Sequence, residues 1–191
     1  MKLGVLALQG AFREHREVLH ALGVPTVEVR VPEHLSAVDA LVLPGGESTT
    51  VTRLLDTSGL REPLADRLGD GMPAFGTCAG LILLAAEVRD GRADQIPLGA
   101  LDISVRRNGY GRQRDSFETD LAVAGLGGAP FRGIFIRAPV VERVGESVEI
   151  LAALDGHPVL VRQGAVWAST FHPELSGDLR VHQRFVQSIT A

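Results

Sequence analysis

The single cysteine of the chain, Cys78, sits in Gly76-Thr77-Cys78-Ala79-Gly80. An apolar strand-like run, Pro73-Ala74-Phe75, leads in, and a helix-like run, Leu81-Ile82-Leu83-Leu84-Ala85-Ala86, leads out. That is the strand–turn–helix setting of a nucleophile elbow, with Gly-x-Cys-x-Gly in place of Gly-x-Ser-x-Gly. The flanking glycines leave the backbone room for a sharp turn. Such a turn aims the sulfur at the first N–H groups of a helix, which favour the nucleophilic thiolate. The alternative is a small, inert, buried thiol.

A nucleophilic thiol needs a base, and the base needs an orienting group. Of six histidines, His15, His20 and His182 fall in helix patterns or on polar faces, and His34 and His157 in loop-like surroundings. His172 follows the strand pattern Val166-Trp167-Ala168-Ser169-Thr170-Phe171 and opens His172-Pro173-Glu174. Pro173 biases His172 toward extended backbone, where residues two apart point the same way. Glu174 can then fix the imidazole tautomer and leave the other ring nitrogen for Cys78. A third motif is Leu43-Pro44-Gly45-Gly46-Glu47-Ser48. Its accessible backbone N–H groups, with that of Ala79, suit a developing oxyanion. No Gly-Lys-Ser/Thr follows, so it does not read as a phosphate loop, and Gly125-Leu126-Gly127-Gly128 reads as a hairpin or loop. No zinc or calcium pattern occurs, so no metal is expected. The residues alone stop at a cysteine hydrolase of unspecified substrate.

The elements that must position these groups are legible as patterns. Leu3–Leu8 is a continuous apolar run, as expected of a strand buried on both faces of a parallel sheet. Phe12, Val18, Leu19 and Leu22 share a helical face, and Gly23 ends that helix. Strands are predicted at Thr26–Val31 and Asp39–Leu43, with helices at Thr49–Leu55, where Ser48 can cap, and Arg61–Leu68. After Gly91 strand-like runs dominate: Leu101–Val105, Phe117–Val123, Gly133–Ile136, Val148–Leu154, Pro158–Arg162 and Ala165–Thr170. A last amphipathic helix covers about Asp178–Ile189. The order implies one α/β domain over residues 1–191, a mostly parallel sheet with helices on both faces and an antiparallel extension.

Composition narrows the function. The chain has 191 residues, 45% hydrophobic and 22% charged, with a net charge of −4. The acidic balance and scattered basic residues argue against a nucleic-acid surface. No apolar stretch approaches a membrane span, and the first residues read as a strand rather than a signal peptide. One cysteine excludes an internal disulfide and fits a reducing cytoplasm.

Together the three motifs resemble a class I, triad-type glutamine amidotransferase. Further runs resemble, within that class, the glutaminase subunits of two-subunit pyridoxal phosphate synthases. These are Leu6-Ala7-Leu8-Gln9-Gly10, Pro44-Gly45-Gly46-Glu47-Ser48-Thr49, Arg107-Asn108 with Gly111-Arg112-Gln113, Ser116-Phe117-Glu118, Phe135-Ile136-Arg137-Ala138-Pro139 and Phe171-His172-Pro173-Glu174-Leu175. Tyr110 is a mild variation. The resemblance implies a three-layer, doubly wound, flavodoxin-like fold and hydrolysis of L-glutamine to glutamate and ammonia without a cofactor. It implies Cys78 as nucleophile, His172 as acid–base and Glu174 as its orienting group. It also implies an oxyanion hole from the N–H groups of Gly46 and Ala79, and glutamine contacts from Gly46, Glu47, Ser48, Arg107, Ile136 and Arg137. Finally it implies a partner, the pyridoxal phosphate synthase subunit, without which the glutaminase is weak or silent.

Overall fold

Apolar side chains alternating between two directions along short strands require cover on both faces of a sheet. The computed structural model describes residues 1–92, 94–107, 109 and 116–190, and its main sheet meets that requirement. Asn108, Tyr110 and the run Gly111-Arg112-Gln113 lie outside the described residues. The first half alternates β1 (Leu3–Leu6), α1 (Phe12–Ala21), β2 (Thr26–Val29), α2 (Pro32–Ser36), β3 (Ala40–Leu43), α3 (Ser48–Thr57), α4 (Arg61–Gly69), β4 (Ala74–Thr77) and α5 (Ala79–Leu84). There follow β5 (Ala85–Val88), β6 (Leu101–Arg106), β7 (Ser116–Leu121), β8 (Phe131–Ile136), β9 (Val140–Val144), β10 (Glu149–Leu154), β11 (His157–Gln163) and β12 (Val166–Ser169). A 3-10 turn (Pro173–Leu175) and α6 (Arg180–Ser188) complete the described elements.

Seven strands form the main sheet in the order β10-β11-β12-β4-β3-β1-β2. The five from β12 to β2 are mutually parallel, while β11 and β10 extend one edge antiparallel. Leu3, Val5, Ala40, Val42, Phe75 and Trp167 point to one face, where Leu19 of α1 and Val181 and Phe185 of α6 cover them. Leu6, Leu41, Leu43, Ala74 and Ala168 point to the other, under Leu35 of α2, Val51 and Leu55 of α3, Leu64 of α4 and Leu81, Ile82, Leu83 and Leu84 of α5. The other late strands leave the main sheet: β5-β6-β9 form one small sheet and β7-β8 another.

The chain runs from β1 to β2 on one side, then crosses to β3 on the other, so β1 and β3 flank a topological switch point. Ligand crevices of open α/β sheets lie there, outside the carboxyl ends of the strands. Gln9 and Gly10 follow β1, Pro44-Gly45-Gly46 follows β3, Cys78 follows β4 and His172 follows β12. Four loops distant in sequence thus meet at one end of the sheet. Among the described residues, no helix is long and apolar enough to cross a membrane.

The meeting is close. A Cβ at Gly80 would overlap the carbonyl oxygen of Leu43 at the end of β3. Helix propensity alone makes Gly80→Ala stabilising by about 1 kcal/mol. The close approach reverses the sign, and Gly80→Ala is expected to lower the urea midpoint, with a loss of about 1–3 kcal/mol. A raised midpoint would show that α5 is not wedged against β3.

Candidate active site

Cys78 has φ 49° and ψ −100°, a backbone region that L residues rarely occupy. It is held there between β4 and α5, with its N–H donating to Ser169 O of β12 at 2.8 Å. Holding a non-glycine residue in such a conformation costs of order 1–3 kcal/mol, which the surrounding sheet must impose. The residue is 7% exposed. Its thiol meets the Ile136 carbonyl oxygen at 3.9 Å, at the end of β8.

His172 is fixed by its own N–H, which donates to Ile134 O at 2.8 Å. Its Nδ1 lies 2.7 Å from Glu174 Oε1, and both side chains are buried. The 3-10 turn beginning at Pro173, rather than an extended strand, brings the carboxylate beside the ring. Burial opposes charge on the imidazole, but Cys78 and Glu174 outweigh it and raise the His172 pKa to about 10. Burial likewise opposes charge on Glu174, but His15 and His172 outweigh it and lower the carboxyl to about 2. The His172 ring and the Cys78 side chain both lie against Gly45, where an added Cβ would overlap His172 Cε1 and sit 3.3 Å from Cys78 Cβ.

The Pro44-Gly45-Gly46 loop is tied down on both sides. The Gly45 N–H donates to Thr77 Oγ1 at 3.1 Å, and Gly45 O accepts from the Ala11 N–H at 3.0 Å. Glu47 N–H donates to Gln9 Oε1 at 2.8 Å, and that oxygen would lie 2.5 Å from a Cβ on Gly46. Ala79 opens α5 immediately after the nucleophile candidate.

The residues expected to contact substrate lie around this crevice. Arg107 Nη2 donates to Glu47 Oε1 at 2.9 Å, so these two opposite charges face each other. The helix cap is Glu47 rather than Ser48: its carboxylate accepts from the Thr49 N–H and hydroxyl, because α3 begins one residue earlier than the sequence pattern places it. Ser48 is instead buried, its hydroxyl accepting from Gln95 Nε2 at 2.9 Å. Ile136 and Arg137 are exposed at the end of β8, and Arg137 has φ 42°. Arg137 therefore lies just past the strand and not inside it.

Sequence reasoning missed three residues that adjoin the site. His15 and His182, read as lying on polar faces or in helices, are both fully buried. His15 Nε2 lies 3.0 Å from Thr77 Oγ1 and 3.4 Å from Glu174 Oε2, and its Nδ1 lies 2.9 Å from His182 Nε2. Spacing carried the signal. His15 stands three residues after Phe12 and four before Leu19, and His182 three before Phe185, so both fall on the buried stripe of their helices. Thr77 stood in plain view inside the elbow.

The His172–Glu174 pair sets a pH window for stability. The raised His172 pKa contributes stability that is full below its ordinary 6.5 and lost as pH rises through about 10. The depressed Glu174 pKa contributes stability present above its ordinary 4.5 and lost as pH falls through about 2. The advantage of the native protein over Glu174→Gln is therefore expected to peak between pH 4.5 and 6.5 and to shrink toward pH 10. Thermal unfolding of both proteins across pH measures it; a pH-independent difference would mean the pair is not ionised as stated.

Comparison with known proteins gives a consistent picture. The sequence profile of the SNO glutamine amidotransferase family matches residues 5–191. A Thermotoga neapolitana protein named pyridoxal 5'-phosphate synthase subunit PdxT is 53% identical over 189 residues, covering 99% of this chain and 100% of its own. A Herpetosiphon aurantiacus protein of the same name is 56% identical, covering 97% and 99%. A crystal structure described as a glutamine amidotransferase superposes with a TM-score of 0.92 at 52% identity, covering 99% of each chain. A putative GMP synthase component from Thermoplasma acidophilum shares the fold, with a TM-score of 0.70 at 18% identity, covering 100% of this chain and 94% of its own.

Proposed function

The chain belongs to the SNO glutamine amidotransferase family, and from that membership we propose that it hydrolyses L-glutamine at Cys78 and passes the ammonia to a pyridoxal phosphate synthase subunit. One observation carries the site assignment: a strained elbow cysteine beside a buried histidine whose far nitrogen is 2.7 Å from a buried carboxylate. In this reading residues 1–191 act as one amidotransferase domain in the cytoplasm.

The Cys78 sulfur attacks the side-chain amide carbon of glutamine, and the carbonyl electrons move to oxygen. The N–H groups of Gly46 and Ala79 hold that oxyanion; one such donor is worth about 3 kcal/mol. His172, having taken the thiol proton, gives it to the departing nitrogen, and ammonia leaves a thioester on Cys78. Water, deprotonated by His172, attacks the thioester and releases glutamate. Glu174 keeps the imidazole in the tautomer that serves both transfers.

Glutamine carries an ammonium and a carboxylate, and Glu47 and Arg107 offer one charge to each. Because these two face each other, substrate enters by exchanging their ion pair for two pairs with itself. Gly46, Ser48, Ile136 and Arg137 complete the contacts. The partner follows from the relatives named as pyridoxal 5'-phosphate synthase subunits, which cover nearly the whole chain. Ammonia is useful only beside an enzyme that consumes it, so turnover is expected to depend on docking.

Glutamate release with and without the synthase subunit tests the reading. Release is expected only in the complex and is abolished in Cys78→Ala; equal release by the free chain would favour a free-standing hydrolase. Arg107→Ala is expected to raise KM for glutamine about tenfold or more while kcat changes little, since it binds ground and transition state alike. A fall in kcat at unchanged KM would move Arg107 out of the substrate site.

A further inference from the structure

The triad assignment leaves one buried oxygen unexplained. Glu174 Oε1 faces His172, but Oε2 has no hydrogen-bond partner among the described residues and is buried. A buried carboxylate oxygen without a donor is costly. His15 Nε2 lies 3.4 Å from it, a long contact, on a ring that is fully buried and sits on α1. Resting on the triad reading above, we propose that His15 is a positioning residue for the catalytic carboxylate, carrying its proton on Nε2, presenting it to Glu174 Oε2, and held in that tautomer by His182.

The proton count supports this tautomer. Burial lowers the pKa of His15, and burial with His15 nearby lowers His182 to about 3, so each ring carries one proton at neutral pH. One proton must lie between His15 Nδ1 and His182 Nε2, which are 2.9 Å apart. If it sat on His15, the bare Nε2 would turn its lone pair toward the carboxylate. His182 Nδ1 would then carry an N–H, and that nitrogen has no partner among the described residues. If it sits on His182 instead, His182 Nδ1 is a bare acceptor, and buried orphan acceptors are tolerated better than buried orphan N–H groups. His15 Nε2 then becomes the donor, shared between Glu174 Oε2 and Thr77 Oγ1 at 3.0 Å.

The arrangement commits both carboxylate oxygens, so Glu174 cannot swing away from the imidazole. Thr77 extends it to the oxyanion loop, because the same hydroxyl oxygen accepts the Gly45 N–H. The ionisable groups that bear on the carboxylate and its neighbours are His172 and Cys78 at the strand ends, His15 and Glu14 on α1, and His182 on α6.

The test uses the complex with the synthase subunit, with rates normalised to Cys78 sites counted by stoichiometric alkylation. His15→Leu is expected to lower kcat about tenfold or more, with KM held within about twofold. The acid limb of its pH profile should move up by about one unit as the carboxyl loses a donor. His15→Gln, whose amide N–H replaces Nε2–H, should restore most of the rate and the profile. Histidine-labelled NMR of the native protein reads the tautomer directly and needs no variant to fold. A His15→Leu enzyme with native kcat and profile, equal loss in both variants, or a His15 proton on Nδ1 would each overturn the proposal. Failure of the underlying glutaminase reading is distinct: Cys78→Ala would then retain glutamate release.

Discussion

A carboxylate buried to the depth of Glu174 has to be compensated on the spot, and the loop end of the sheet is organised around that requirement. Burial shields it from bulk water, and an uncompensated charge there would take up a proton. His172 answers on one side, and the same contact fixes the imidazole beside Cys78. Orientation and ionisation of the imidazole are therefore one interaction rather than two. On the side of its second oxygen stands His15 of α1, and His182 of α6 stands behind that ring.

Compensation at short range demands close backbone approach, and glycine supplies it at two positions above all. At Gly45 a side chain would occupy the space of the His172 ring, and at Gly10 it would strike the Gly45 carbonyl oxygen. The loops after β1 and β3 can thus lie against each other and against the His172 ring. The price is a loop with little intrinsic rigidity, and the structure offsets it with tethers. Thr77, Ala11 and Gln9 each hold one peptide group of the Gly45–Glu47 segment.

Much of this was legible in the sequence, for reasons that differ by element. The β1, β3 and β4 runs are apolar on both sides because both faces are covered, and such runs stand out without an alignment. The elbow and His172-Pro173-Glu174 were legible because few other patterns place those types together. The end of α5 was not: Ala85 and Ala86 suit a helix, but pairing with β6 pulls them into β5 after Leu84. Helix α2 escapes the pattern although Pro32 at its first turn is a start signal, and β9 escapes it because Pro139 before it suggests a loop. The buried histidines failed for a different reason. A polar residue on an apolar stripe reads as an interruption of the pattern, when it is the stripe that buries it.

Backbone strain separates what the fold needs from what the site needs. Among the described residues, three that are not glycine have positive φ: Cys78, Arg137 and Asp155. Asp155 joins β10 to β11 beside Gly156, which is also at positive φ, and a short polar side chain tolerates that conformation in a hairpin. Its strain belongs to the turn. Cys78 and Arg137 have no such excuse, since glycine would relieve both positions by about 1 kcal/mol or more. Cys78 stands at the crevice where four strand ends meet, and Arg137 directly follows Ile136, whose carbonyl oxygen the Cys78 thiol meets. The remote core, with Phe75, Trp167 and Phe185 fully buried beneath them, supplies the rigidity that keeps two strained residues in place. The strain is thus concentrated where a side chain must project, and the fold around it is otherwise relaxed into glycines and one aspartate turn.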